Sequence, residues 1–168
     1  MKCRLAAAAI FIVAFGGACA ADKLQADQVE SAIASGDIRG ALKKYFDCAK
    51  YEGTAYEAIA TGSQAWVSIA ARVLPMSDAC YAEGIVNALG QAMQRKPQNV
   101  LPLVGKTDVL SPERICLPSI SDELPLNVQR EELLRSKSAI SGVEGYLSQK
   151  NACLRFIASI EQQLAARR

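Results

Sequence analysis

Residues 77–104, SDACYAEGIVNALGQAMQRKPQNVLPLV, predict one long helix, a sharp break and a short apolar second helix. Ser77 suits the N-cap position, and Asp78 places a negative charge in the first turn. Apolar residues recur every three or four positions along one face: Tyr81, Ile85, Ala88, Leu89, Ala92 and Met93. Lys96 suits the last turn, and Pro97 suits the first position of the next helix, where no N–H is needed. We expect the long helix to be the spine of a small helical bundle.

The rest of the chain has the capping residues, glycines and prolines that begin and end short helices. No window shows sustained alternation of apolar and polar residues. We therefore predict an all-α fold, either a small helical bundle or a short HEAT-like helical array, in a single domain covering residues 21–168. Before residue 77 the predicted helices cover about 27–35, 37–46, 54–62 and 63–74. The third begins with a capping box of Thr54 and Glu57.

A five-residue motif occurs twice, as AIASG over residues 32–36 and as AIATG over residues 58–62. Each copy is followed by a capping residue, Asp37 or Ser63, and then by an apolar helix. This unit resembles the paired helices of HEAT-type α-solenoids, whose repeats are usually longer. The other interpretation is ordinary helix punctuation in an alanine-rich chain.

An apolar series with a spacing of seven residues runs through the C-terminal part of the chain: Leu126, Leu133, Ile140, Leu147 and Leu154. We predict two helices, about 127–147 and 150–166, packed as a hairpin around a turn near residues 148–151. A coiled-coil homodimer through the same series is a second interpretation, although Gly142 and Gly145 argue against a long rod.

Residues 1–20, MKCRLAAAAIFIVAFGGACA, have the pattern of a secretory signal peptide. Lys2 and Arg4 form the positive n-region, the apolar run after them is too short to span a bilayer, and an A-x-A cleavage site ends at Ala20. We expect cleavage after Ala20 and a periplasmic or secreted mature chain without a transmembrane span. A lipoprotein anchor at Cys19 is the alternative.

The expected cleavage also removes the net charge of the chain. Of 19 Lys+Arg, only Lys2 and Arg4 belong to the signal, and all 17 Asp+Glu follow it, so 17 charges of each sign remain. A neutral chain without a basic run offers no electrostatic surface for nucleic acid. We therefore expect no nucleic-acid partner.

Four cysteines follow the expected cleavage site: Cys48, Cys80, Cys116 and Cys153. An even number of cysteines in an exported chain implies disulfides. Three pairings are open, and we favour Cys48–Cys80 with Cys116–Cys153, because each joins neighbouring segments across a modest loop. The spacings fit neither a zinc module nor a C-x-x-C redox pair, so we expect no metal and no cofactor.

The chain contains no histidine. Histidine-activated serine or cysteine nucleophiles and histidine-ligated zinc are therefore excluded. The sequence also has no glycine-rich phosphate loop, no supported S-x-x-K motif and no carboxylate pair marked for glycoside hydrolysis. We expect no catalytic residues and a protein that is not an enzyme.

The aromatic residues point to a binding surface. Six of them lie between residues 45 and 81, and Tyr51 and Tyr56 flank a polar loop. The predicted binding residues are Asp47, Lys50, Tyr51, Glu52 and Tyr56, with both tyrosines exposed as anchors for a protein partner. The alternative is that the tyrosines pack beside the Cys48 cross-link.

The layout resembles the periplasmic immunity proteins of bacterial type VI secretion systems, notably those that neutralise cell-wall amidases. The likeness rests on the signal peptide, the SDAC…NALGQAM helix, Ile115-Cys116 and Ala152-Cys153-Leu154. It implies a non-enzymatic inhibitor whose partner is a bacterial toxin, and it carries over no binding residue. The alternatives are a histidine-free peptidoglycan hydrolase or accessory factor, and a structural scaffold of the envelope.

Overall fold

A computed structural model describes residues 24–120 and 123–167, and all regular structure in those two ranges is helical. The α-helices are α1 (Ala26–Ala34), α2 (Ile38–Tyr45), α3 (Ala55–Ala60), α4 (Gln64–Val73), α5 (Ala79–Arg95), α6 (Pro97–Val100), α7 (Pro112–Ile115), α8 (Leu126–Ser141) and α9 (Leu147–Ala166). Short 3-10 helices lie at Leu74–Met76, Leu101–Leu103 and Asp108–Leu110. The predicted all-α fold is confirmed.

Helix α5 lies at the centre of the fold, as its apolar periodicity predicted. It packs against α3, α4, α6, α7 and α8. Its buried residues are Ile85, Ala88, Leu89, Gly90, Ala92 and Met93. Burial of each large side chain on this face contributes about 1.5–3 kcal/mol, so α5 supplies a substantial share of the core. Tyr81, predicted on the same face, is only half-buried.

Helix α5 begins one residue later than predicted, because Asp78 and not Ser77 occupies the N-cap position. The chain after α4 continues as the 3-10 helix Leu74–Met76, which contains Pro75. This turn brings the Ser77 hydroxyl within 2.8 Å of the Val73 carbonyl, to which it donates. Ser77 therefore closes the preceding turn and does not cap α5.

The repeated five-residue motif adopts the same turn in both copies. Gly36 and Gly62 have φ angles of 86° and 75°, a region that glycine enters without steric cost. The residue before each glycine, Ser35 or Thr61, donates its hydroxyl to the carbonyl three residues earlier at 2.7 Å. The pairs α1–α2 and α3–α4 are therefore joined alike, and α1 packs against α4.

A segment that we call the strap, residues 116–120, crosses α5 at Gly90. A Cβ atom at Gly90 would lie 2.2 Å from the Leu117 carbonyl oxygen, so only glycine allows the two backbones to approach this closely. One turn earlier, Asn87 Oδ1 accepts the Ser119 N–H at 2.9 Å. The strap is thus held against two successive turns of α5.

Both favoured disulfides are confirmed. The Cα–Cα distances are 5.8 Å for Cys48–Cys80 and 5.4 Å for Cys116–Cys153, within the usual bonded range. Their surroundings differ: Cys48 and Cys80 are exposed, whereas Cys116 and Cys153 are fully buried. The first disulfide ties a surface loop to the start of α5, and the second ties the strap to α9 through the core.

Helices α8 and α9 pack against each other, as the predicted hairpin requires. Lys137 and Glu161 join them through a salt bridge of 2.9 Å. Leu133 and Ile140 of the seven-residue series are buried, but Leu147 of the same series is 71% exposed. The series is therefore interrupted, and the homodimer through it stays a prediction.

The turn between α8 and α9 lies earlier in the chain than predicted. Helix α8 ends at Ser141 and α9 begins at Leu147, so the turn predicted at 148–151 is helical. Gly145 and Tyr146, with φ angles of 81° and 49°, lie in the turn. A left-handed tyrosine is sterically disfavoured, and nothing in the local sequence pattern signals it.

The two disulfides indicate an oxidising environment outside the cytosol. Within the described ranges, no helix has the length and apolar character needed to cross a membrane. The predicted signal peptide at residues 1–20 and the alternative lipid anchor at Cys19 lie outside the described residues.

Candidate functional site

A polar cleft, which we call the loop–α5 cleft, lies between residues 47–51 and the N-terminal half of α5. Its volume is about 420 Å³. It is lined by Asp47, Cys48, Ala49, Lys50, Tyr51, Tyr56, Cys80, Glu83, Gly84, Asn87 and Ser119. The cleft therefore brings together four of the five predicted binding residues. The fifth, Glu52, is exposed and lies outside the lining.

Covalent and hydrogen bonds fix the loop that forms one wall of the cleft. Cys48 is bonded to Cys80, in the first turn of α5. The Asp47 side chain accepts a backbone N–H within the loop at 2.9 Å. At the other end, the Thr54 hydroxyl donates to the Tyr51 carbonyl at 2.5 Å. The loop is therefore held at both ends.

The predicted capping box at α3 forms with a shifted partner. Glu57 accepts the N–H of Gly53 at 2.8 Å, one residue before the expected donor. The Thr54 side chain makes no capping bond to α3. Its hydroxyl donates to the Tyr51 carbonyl of the loop. Both side chains consequently anchor the loop and do not cap the first turn of α3.

The two tyrosines of the predicted site are stacked, but only one lies at the surface. The ring centroids of Tyr51 and Tyr56 are 5.9 Å apart with an interplanar angle of 15°, and Phe46 meets Tyr56 edge-on at 5.3 Å. Tyr51 is half-buried, whereas Tyr56 is only 2% exposed. The expectation that Tyr56 is an exposed anchor was wrong, since its ring packs into the core.

Helix α5 accommodates the Tyr56 ring because position 84 is glycine. A Cβ atom at Gly84 would lie 2.6 Å from Cζ of Tyr56, the carbon that bears the hydroxyl. The ring therefore lies directly against the helix backbone. Since Gly84 also lines the cleft, this contact places the hydroxyl end of the ring at the cleft floor.

The Tyr56 hydroxyl is, among the described residues, the one buried side-chain nitrogen or oxygen atom without a hydrogen-bond partner. Burial raises the pKa of Tyr56 to about 12, with smaller contributions from Tyr81, Asp47 and Asp78. The hydroxyl therefore stays protonated at neutral pH and can both donate and accept. Leaving a buried polar group unpaired costs about 1–3 kcal/mol.

Helix α5 contributes two polar cleft residues that the sequence analysis missed, Glu83 and Asn87. They lie one turn apart, and Gln91 continues the row next to the Tyr51 side chain. Burial raises the pKa of Tyr51, and the positive charge of Arg95 partly offsets the shift. The four-residue spacing was a visible signal, but it did not show that this row faces the loop.

The charged residues of the cleft have no ion-pair partner within the described part of the chain. Both salt bridges found there lie within α8 or between α8 and α9. The charges of Asp47, Lys50 and Glu83 are therefore available to a bound molecule. In the same ranges, no group of three or more histidine, cysteine or acidic side chains could hold a metal ion.

Comparisons with protein-family models, with curated proteins and with solved structures found no match to this chain. The resemblance to periplasmic immunity proteins therefore stays a prediction.

Tyr56→Phe is expected to raise the free energy of unfolding by about 1 kcal/mol, because it removes an unpaired buried hydroxyl and keeps the ring. Urea denaturation followed by circular dichroism measures the change. Tyr45→Phe, a half-buried tyrosine outside the cleft, is the matched control and should change stability by less than about 0.5 kcal/mol. A clear loss of stability in Tyr56→Phe would mean that the hydroxyl is hydrogen-bonded in solution.

The same variant should change the alkaline part of the stability profile. The pKa of Tyr56 is raised from 10.0 to about 12 on folding, so the folded state holds this proton more tightly. The stabilisation from this difference is complete below the unfolded-state pKa and is lost as the pH rises through the folded-state pKa. Between about pH 10 and 12 the wild type should therefore lose stability more steeply than Tyr56→Phe.

Proposed function

We propose that the protein is a non-enzymatic periplasmic binding module that neutralises a cell-wall-targeting toxin by forming a stoichiometric complex with it. In this proposal, residues 1–20 export the chain and are removed. The observation that carries it is the loop of residues 47–53, which is cross-linked to α5 and still presents charges without ion-pair partners. A loop held in one conformation loses little freedom when it binds, which favours a tight inhibitor.

The composition of this surface also supports a protein partner. Tyr51 offers part of its ring, and tyrosine is among the residues most often found as interface anchors. Asp47, Lys50 and Glu52 surround it as exposed charges, as at the polar rim of an interface. The revised binding surface therefore has Tyr51 as its anchor and Tyr56 as support beneath it.

Growth protection tests the proposal directly. The product of the gene adjacent to this one, if it cleaves peptidoglycan, is directed to the periplasm of a bacterial host that also produces the full chain. We expect the full chain to restore growth and a chain without residues 2–20 to fail. Purified residues 21–168 should inhibit peptidoglycan cleavage in vitro, with complete inhibition at equal molar amounts.

The Tyr51 anchor is tested in the same inhibition assay. Tyr51→Ala should weaken binding of the toxin by about 1–2 kcal/mol while helical content is retained. Tyr45→Ala makes the same chemical change outside the cleft and should inhibit like the wild type. Peptidoglycan cleavage by purified residues 21–168 alone, at substoichiometric amounts, would contradict the proposal and favour the hydrolase.

A further inference from the structure

We propose that the loop–α5 cleft receives a cationic side chain, an arginine or lysine, from the protein that binds this surface. This inference rests on the proposed function, because it identifies the chemistry of the partner at the same site. It is carried by two independent features: the sign of the charges around the cleft, and the unpartnered hydroxyl at its floor.

The charges around the cleft are mostly negative. Asp47 and Glu83 belong to its lining, and Lys50 is the one basic residue there. Asp78, the N-cap of α5, adds a further carboxylate, whose charge together with that of Asp47 contributes to the raised pKa of Tyr56. Since neither lining carboxylate is ion-paired within the described chain, a cation would supply the missing partner, whereas a phosphate would be repelled.

The floor of the cleft offers a hydrogen-bond acceptor for such a cation. Tyr56 is 2% exposed, and its hydroxyl has no partner, so its oxygen can accept from a guanidinium or ammonium N–H. The hydroxyl itself has less than 1 Å² of accessible surface. A cation that reaches it therefore displaces the side chains that cover it, while the Cys48–Cys80 disulfide keeps the loop attached to α5.

The aromatic wall favours the same occupant. Tyr51 is half-buried, is stacked on Tyr56 with an interplanar angle of 15°, and lines the cleft. A cation over a tyrosine face is attracted to the ring quadrupole, and arginine makes this contact most often. Carboxylates, a hydroxyl acceptor and a ring face together match a guanidinium better than a neutral side chain.

The test uses two capped tripeptides, acetyl-Gly-Arg-Gly-amide and its citrulline analogue, which has similar size and no charge. Each is titrated into ¹⁵N-labelled residues 21–168 and followed by amide chemical shifts. We expect the arginine peptide to shift the amides of Gly84 and Asn87 and to bind with a millimolar Kd, about tenfold more tightly than the citrulline peptide.

Variants of the cleft residues should change the affinity for the arginine peptide in opposite directions, according to the charge that each one removes. Asp47→Asn combined with Glu83→Gln should weaken arginine-peptide binding about tenfold, whereas Lys50→Ala should strengthen it severalfold by removing the opposing charge. Tyr56→Phe should weaken it severalfold without loss of helix. Glu144→Gln, an exposed carboxylate in the turn before α9, is the control and should bind the peptide like the wild type.

The inference would be overturned if the citrulline peptide bound equally well, or if the double carboxylate variant bound the arginine peptide like the wild type. It would also be overturned if chemical shifts changed only on other surfaces, or not at all at peptide concentrations up to about 50 mM. The growth assay keeps its failure separate from that of the proposed function. Full growth protection by the double carboxylate variant would contradict the cation site and still support the inhibitor role. If the wild type bound the arginine peptide but gave no growth protection, the inhibitor role would be contradicted and the cation site would be retained.

Discussion

Replacing both Cys116 and Cys153 with alanine is expected to lower the free energy of unfolding by about 4 kcal/mol. The disulfide closes a loop with a sequence separation of 37. Its loss raises the conformational entropy of the unfolded chain, which lowers the free energy of unfolding by about 4 kcal/mol. Both residues are also fully buried, so the lost sulfur contacts add to the cost. Urea denaturation followed by circular dichroism measures the loss.

Cys48→Ala combined with Cys80→Ala provides the control for this prediction. Its sequence separation of 32 predicts nearly the same entropic cost, but both residues are exposed and little packing is lost. The two double variants should therefore differ mainly by the packing contribution. A loss below about 1 kcal/mol for the buried pair would contradict the entropic argument.

Gly90→Ala is expected to destabilise the protein by about 3 kcal/mol, at the upper end of the cost of overpacking a core. The new methyl group would lie 2.2 Å from the Leu117 carbonyl oxygen and 2.4 Å from the nitrogen of Pro118. Both atoms belong to the backbone, so no side-chain rotation can relieve the clash. The strap has to move away from α5, although the Cys116–Cys153 disulfide holds its first residue.

Gly142→Ala is the matched control for Gly90→Ala. Gly142 has an ordinary right-handed conformation at the end of α8, and a Cβ atom there would lie no closer than 3.6 Å to its neighbours. The substitution should be neutral or stabilise by a few tenths of a kcal/mol, because alanine restricts the unfolded chain more than glycine does. Similar losses in both variants would mean that the contact between strap and helix is not the cause.

The elements of the fold could be predicted because their signals are local. The apolar periodicity of α5, the glycine stops at Gly36 and Gly62, and the proline start of α6 each act within a few residues. The N-cap residue of α5 could not be predicted, because it depends on the position in which the 3-10 helix after α4 places Ser77. The turn after α8 was also missed, since it requires a left-handed Tyr146.

The candidate site could be predicted only where it follows the chain. The loop that contains Asp47, Lys50 and Tyr51 was evident from its polar residues and flanking aromatics, and its contact with α5 followed from the predicted disulfide. The burial of Tyr56 was not evident, because it depends on the absence of a side chain at Gly84, on another helix. Glu83 was missed for the same reason, since only tertiary packing places it beside the loop.

The order of the cysteines along the chain has a consequence for folding after export. The two disulfides are consecutive and do not interleave, since Cys80 precedes Cys116 in the sequence. If the chain enters an oxidising compartment N-terminus first and loses residues 1–20, Cys48 and Cys80 are the first pair of thiols to emerge, and they are native partners. The remaining two cysteines then have only each other. Such a chain reaches its native pairing without the disulfide rearrangement that takes minutes to hours when uncatalysed, so its fold can be complete soon after translocation.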